Sequence, residues 1–586
     1  MNKRTRSGLA IIQVAVVLGI LGDVLLRQTP WGLNVLLFNL AFAASLFLLL
    51  RRHAPERLTA QTYALLGAQV FFASMFVWRD ATELRIADTF AIITILGVMF
   101  LPTLKIPARV AGVFQYVIGV LWAGINAFFA TGVLLGSDIS WNDLQIDGRK
   151  KYFVSVARGV LIAAPLILIF GALFMAADAV YDGWVRTTLN VDLTTLFSHG
   201  IMFTLFTWLT AGYFRGALFA GVAAAPETSL SILQPAASAR SESKVDRFRA
   251  ESGEYPVVLP DGKTVVEHIN TTDEHAAGEL QSEASEAAGP KQPAWSWANI
   301  DNSIVPGFTL GPVEVGVILG LVNLLFISFV IFQVPYLFGG MEMVQNTPDF
   351  KLAEYARRGF GELVTVAALV LPMLLVSHWL LKKESSAAIK LFRVLAGIQI
   401  ALLFVIMASA VQRLVLLTGN LGYGMTTVRL YPMIFMIWLA IVFVWFAATV
   451  LRGARQHFAW GALWSAFLIL GATHILNPDA FIVKTNIALM QQGRDFDAFY
   501  NSSLSDDAIP VLLENLSLMS LDDRCEVGSG LHYRYRQLGK SFDVRSYNRS
   551  SGNAYRLLVA NDPMLHQTDG CDESFKNDKP ATSPPE

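Results

Sequence analysis

Apolar residues along this chain run in continuous stretches of membrane length, not in the two-residue alternation of a barrel strand. Twelve such runs stand out, near 8–26, 32–50, 60–78, 84–101, 110–135, 159–177, 196–219, 312–336, 360–381, 392–416, 428–451 and 457–476. A bilayer core of about 30 Å takes roughly 20 apolar residues per helical crossing, so each run predicts a transmembrane helix. The first follows "MNKRTR" and continues into "LGDVLLRQTP" without the small-residue site of a cleaved leader, which predicts an uncleaved span.

Two stretches break the pattern. Residues 221–310 are rich in Ser, Ala and acidic residues and too poor in large apolar ones to build a core, which predicts a mostly disordered acidic insert. Within it, "YPVVLPDGKTVVEHI" sets two Val-rich runs around Pro260-Asp261-Gly262-Lys263, a tight-turn composition that predicts a small hairpin at 255–269. Residues 479–586 are again polar. There the helical spacing of Ile487, Leu489 and Met490, and of Ile509, Leu512 and Leu513, predicts short amphipathic helices. The text "LHYRYRQLGKSFDVRSYNRSSGNAYRLLVA" predicts two or three strands with a turn at 550–553. The expected fold is an all-α polytopic membrane protein, with about seven helices in 1–220, about five in 311–478, and a small α+β extracytoplasmic domain at 479–586.

Composition agrees, since 54% hydrophobic and 16% charged residues exclude a soluble globular chain. The only cysteines, Cys525 and Cys571, flank the predicted strands without a C-x-x-C or other metal-ligand spacing. That predicts a disulfide in an oxidising compartment. Basic residues test the topology, because short cytoplasmic loops carry the excess of Lys and Arg. In the second half "RGALF", "KKESSAAIKLFR" and "RGARQH" share one side, which places the insert in the cytoplasm and the tail outside. In the first half "KRTR", "RRHAPER" and "KIPAR" also share a side, but five crossings then put "GRKKYFVSVAR" outside. The disagreement of one crossing falls between 105 and 158, where either a re-entrant segment or a miscounted crossing would remove it.

With that topology, charged residues gather at extracytoplasmic helix ends: Arg79 and Asp80; Asp178; Glu354, Tyr355, Arg357, Arg358 and Glu362; Arg413; Arg429 and Tyr431; and His474, Asn477 and Asp479. An ionisable group in hydrocarbon costs at least ~2.5 kcal/mol, so something must offset it. Two readings stay open. One is mutual ion pairing that locks helices at their outer ends. The other is an outward cavity in which Arg residues hold a phosphate, carboxylate or lipid headgroup, with Glu362 or Asp479 as acid or base. Glu354, Arg358 and Glu362 share one helix face by their i, i+4, i+8 spacing. Lone His199 and His378 read as packing residues, and "LGKS" at 538–541 lacks the glycine of a phosphate loop. No catalytic motif, metal set or cofactor signature is present, and an outside tail argues against nucleic acid as a partner.

The phrases "WRDATELRIAD", "DFKLAEYARRGFGELVTVAAL", "RLYPMIFMIWLA", "NPDAFIVKTNIA" and "SLSDDAIPVLLENL" resemble the bacterial integral membrane domain of unknown function 4173, a relative of 4153. The resemblance implies a multi-pass inner-membrane protein of bacteria and assigns no activity. The expected partners are the lipid bilayer, an anionic small molecule or lipid headgroup, and a cytoplasmic partner for the insert. Three functions remain: a non-enzymatic envelope scaffold or sensor, a transporter of a small anion or lipid, and a membrane enzyme acting on a lipid-linked or envelope substrate.

Overall fold

The computed structural model describes residues 3–104, 106–140, 193–219, 256–258, 264–266, 312–338, 352–381, 386–415, 418, 424–539 and 543–561. It divides into two units, one of residues 1–220 and 300–586 and one of residues 221–299. In the second, β1 (Pro256–Val258) pairs antiparallel with β2 (Thr264–Val266), Val257 opposite Val265.

In the first unit the N-terminal helices are α1 (Lys3–Leu26), α2 (Leu33–His53), α3 (Ala60–Trp78), α4 (Thr82–Val98), α5 (Val113–Val133) and α6 (Leu193–Leu218). The later ones are α7 (Pro312–Phe338), α8 (Leu352–Leu380), α9 (Ser386–Val415), α10 (Thr427–Thr449) and α11 (Phe458–Leu476). Among the described residues ten helices are long and apolar enough to cross a membrane, one of them Val113–Asp138, so the chain is a multi-pass membrane protein. The predicted run at 159–177 lies outside the described residues. Two apolar cores hold the helices together. Ile11, Leu18, Leu46, Phe100 and Phe214 belong to one, and Leu319, Leu374, Phe392, Phe443 and Phe446 to the other. Outward-facing residues such as Phe90, Phe129 and Leu324 stay exposed, as lipid-facing side chains do.

Contacts fix the direction of each helix. Ser7 Oγ lies 2.8 Å from His53 Nδ1, so the start of α1 meets the end of α2. The end of α3 meets the end of α11, where Arg79 Nε donates to the His474 carbonyl at 2.9 Å. The starts of α1, α3 and α11 therefore share one end of the bundle. At that end the turn Ala108–Val110, which leads into α5, packs beside Arg455–His457, which leads into α11. The far end of α5 arrives there too: Asp138 accepts from Arg4 (Nη2, 2.6 Å) and from Arg215 (Nε, 2.8 Å). Along its length α5 touches the last turns of α4 and α6. A Cβ on Gly97 would meet Val120 at 2.3 Å, so only glycine allows that approach. Despite its length and hydropathy, Val113–Asp138 returns to the end from which it started.

The tail is helical, with α12 (Pro478–Met490), α13 (Ala498–Ser503), α14 (Ile509–Asn515), α15 (Leu521–Gly539) and α16 (Arg549–Ala560). This corrects the expected α+β domain. "LHYRYRQ" lies in α15, which buries Cys525, Gly528, Leu531 and His532, a three-to-four-residue spacing. The Ser-Ser-Gly-Asn stretch read as a turn is the first turn of α16, begun by Asn548, whose side chain accepts from the Ser550 and Ser551 amides. Val483, Ile487, Leu512, Leu516, Val527, Leu531 and Leu558 form a third core, which also takes in Met425 and Leu430 at the start of α10. Cys525 is disulfide-bonded, and Cys571 lies outside the described residues.

Candidate functional site

The α3–α4 connection is only Arg79, Asp80 and Ala81, too short to satisfy its own backbone amides, and the tail supplies what it lacks. Asp507, 2% exposed, stands just before α14. Its Oδ2 accepts from the amides of Asp80 (2.7 Å) and Ala81 (3.2 Å). Its Oδ1 accepts from Arg79 Nη1 (3.1 Å) and from Ser550 Oγ on α16 (2.6 Å). The exchange is reciprocal. Asp80 Oδ2 accepts from the Asp506 amide at 3.2 Å, while its Oδ1 holds Arg85 Nη2 at 2.7 Å. Asn548 completes the seam, since its side-chain amide donates to the carbonyls of Phe76 and Arg79, both at 2.8 Å, at the end of α3. Beside it the Tyr547 carbonyl accepts from the Leu33 amide at 3.0 Å, and a Cβ on Gly32 would meet that oxygen at 2.5 Å.

Asp479 opens α12, where the helix dipole favours a carboxylate. It is 2% exposed, and its Oδ2 accepts from the amide (3.1 Å) and hydroxyl of Ser505. Its Oδ1 is enclosed and meets no donor. Burial, reinforced by Glu83 and Asp507, pushes its carboxyl up to about 6 against the two Ser505 bonds. Asp506 is pushed the same way by burial and by Asp80, with Arg534 Nη1 3.5 Å away. Asn477, in the left-handed conformation at φ 54°, turns the chain from α11 into α12, and its Oδ1 is also enclosed without a partner. Tyr431 presents a third such oxygen. One turn deeper, His474 Nε2 lies 3.0 Å from Asp88 Oδ1 on α4, with both side chains buried.

The structure thus brings together Arg79, Asp80, Tyr431, Asn477 and Asp479. Arg429 begins α10 nearby and donates to the Gly424 carbonyl. Asp178 and the side chains of Glu354, Tyr355, Arg357, Arg358, Glu362 and Arg413 lie outside the described residues. Sequence reasoning missed Ser505, Asp506, Asp507, Asn548 and Ser550, which are remote in the chain from the helix ends they bind; "SLSDDAIP" held three of them in plain view. His199 pairs with Asp23 at 2.5 Å, in a separate group with Arg27 and Ser198 between α1 and α6. Among the described residues no group of three or more His, Cys, Asp or Glu is arranged to hold a metal ion. Around Asp507 and Asn548 the acceptors of the seam are met by named donors.

A family model described as a domain of unknown function, DUF4153, matches residues 65–241 and 279–515. It is the relative of the domain that the sequence phrases resembled. It covers Arg79 to Asp88 and Arg429 to Asp507, and stops before the residues of α15 and α16. No curated protein and no solved structure matches the chain.

Proposed function

The chain belongs to the DUF4153 family, and from that premise we propose that it is a non-enzymatic envelope scaffold or sensor of the bacterial inner membrane, with its tail outside the cytoplasm. The observation that carries this reading is Asp507. One buried carboxylate joins the α3–α4 turn, through Arg79 and two amides, to α16, through Ser550. An anion-binding site would leave Arg79 open toward a ligand. Here Arg79 gives Nε to the His474 carbonyl and Nη1 to Asp507, and lies 4.8 Å from the Trp78 ring.

The test is thermal unfolding of the purified protein with phosphate, short carboxylates or anionic lipid, for wild type and Arg79→Gln. The scaffold reading expects a loss of stability in Arg79→Gln that none of these additives changes. Stabilisation of the wild type by an anion, abolished in Arg79→Gln, would instead establish ligand binding. Transport remains a second reading for one reason. Among the described residues Gln399, fully buried in α9, has no partner for either amide atom, and Asn323 Oδ1, against the same helix, has none. Enclosed amides in a spanning helix are costly unless something polar meets them.

A further inference from the structure

We propose that Asp479 is a proton-binding site on the outer face, and that taking up a proton there tightens the tail onto the helix ends. This rests on the clamp reading above and names the signal that the clamp would sense. The geometry carries it. Among the described residues, Asp479 Oδ1 is enclosed without a donor, while Oδ2 accepts both Ser505 bonds. The amide oxygen of Asn477, two residues earlier, is likewise enclosed and unmet. Neither acceptor carries a hydrogen of its own. A proton on Oδ1 gives Asp479 one and leaves both Ser505 bonds in place. It is also a ligand that needs no cavity.

The surroundings set the sign. Asp479 is faced by Glu83 from α4, Asp507 from the turn before α14 and Tyr431 from α10. The cations near it are engaged elsewhere: Arg79 by Asp507, Arg85 by Asp80, Arg534 by Asp506, and Arg429 by the Gly424 carbonyl. His474 is turned to Asp88, and Lys484, on the same helix as Asp479, is exposed. Neutralising Asp479 therefore removes repulsion without breaking an ion pair. Undocked and in water, the same carboxyl titrates near its ordinary value of 3.8, whereas docked it titrates near 6. The docked state binds more protons between these values, so docking is strongest below pH 4 and weakens as pH rises through 6. Two pH units of separation correspond to about a hundredfold change in the docking equilibrium.

The experiment is hydrogen exchange of the full chain in lipid nanodiscs from pH 4 to pH 8, corrected for intrinsic rates, with infrared detection of a protonated carboxylic acid on the same samples. Wild type is expected to show tail protection falling from pH 4 to pH 6 and level above it, with the carboxylic-acid band of the docked state lost about a midpoint near 6. In Asp479→Asn, which cannot ionise, that transition and its band should vanish and protection should hold at the acid level. A wild-type band without a midpoint near 6, or an Asp479→Asn profile that titrates as wild type does, overturns the proposal. Should the variant fail to fold, Asp506→Asn decides, since Asp506 is the other buried carboxyl raised to about 6: the wild-type transition must persist in it, and its loss there overturns the proposal. Failure of the clamp itself reads differently: the tail would be unprotected at every pH.

Discussion

Replacing Asp507 by alanine removes the acceptor of five donors at once: Arg79 Nη1, the Asp80 and Ala81 amides, Ser550 Oγ and, at 3.5 Å, Ser505 Oγ. Breaking a buried charge pair by deleting one partner costs about 3–5 kcal/mol. Each amide left unmet adds about 1–3 kcal/mol while it stays dry. That sum rivals the stability of a whole domain, about 5–15 kcal/mol, so the seam should open and let water reach the donors before it bears the full amount. The measured loss should then saturate at the free energy of docking, about 3–5 kcal/mol, which raises the undocked population by two to three orders of magnitude at about 1.4 kcal/mol per decade. Limited proteolysis of the tail in nanodiscs reads that population, with the helices as an internal control. A cycle with Arg79→Gln and Asp507→Asn isolates the ion pair, for which a coupling on the order of 1.5–3 kcal/mol is expected. Unchanged cleavage in Asp507→Ala, or a coupling near zero with both single variants folded, would refute the reasoning.

Two further outcomes follow from other contacts. Asn548→Ala removes the cap of α16 and two bonds to the end of α3, and should release the last tail helix at a loss of about 1–2 kcal/mol, seen as faster exchange in 549–560. Asp138→Ala leaves Arg215, 2% exposed, without its carboxylate inside the membrane end of the bundle, and should lower the melting temperature of the detergent-solubilised protein by the equivalent of about 3–5 kcal/mol, partly restored by Arg215→Met.

Most spanning helices were legible because a run of twenty apolar residues has few other uses. Val113–Asp138 shows the limit: hydropathy sees length, while only contacts such as those of Asp138 with Arg4 and Arg215 reveal that both of its ends lie at one end of the bundle. In the tail, alternating Tyr and Arg at 533–536 imitates a strand on a two-residue count. The burial of Gly528, Leu531 and His532 at helical spacing outweighs it. Asn548 followed by two serines is as good a helix cap as it is a turn, and tertiary packing chose between them. On the helix-end side of the seam, Arg79, Asp80 and Asp479 were readable as charges out of place. Their partners were not, since Asp507 meets Asp80 across 427 residues of chain and no local pattern encodes that meeting.

The most direct measurement of the clamp is amide hydrogen exchange at Asp80 and Ala81 in the intact protein. These two amides lie in a three-residue turn at the end of the bundle, and what shields them is the Asp507 carboxylate of the docked tail. The account predicts that both exchange slowly in wild type and rapidly in Asp507→Ala, while amides within α3 and α4 keep their wild-type rates. Rapid exchange of Asp80 and Ala81 in the wild-type protein, or slow exchange that survives Asp507→Ala, would contradict it.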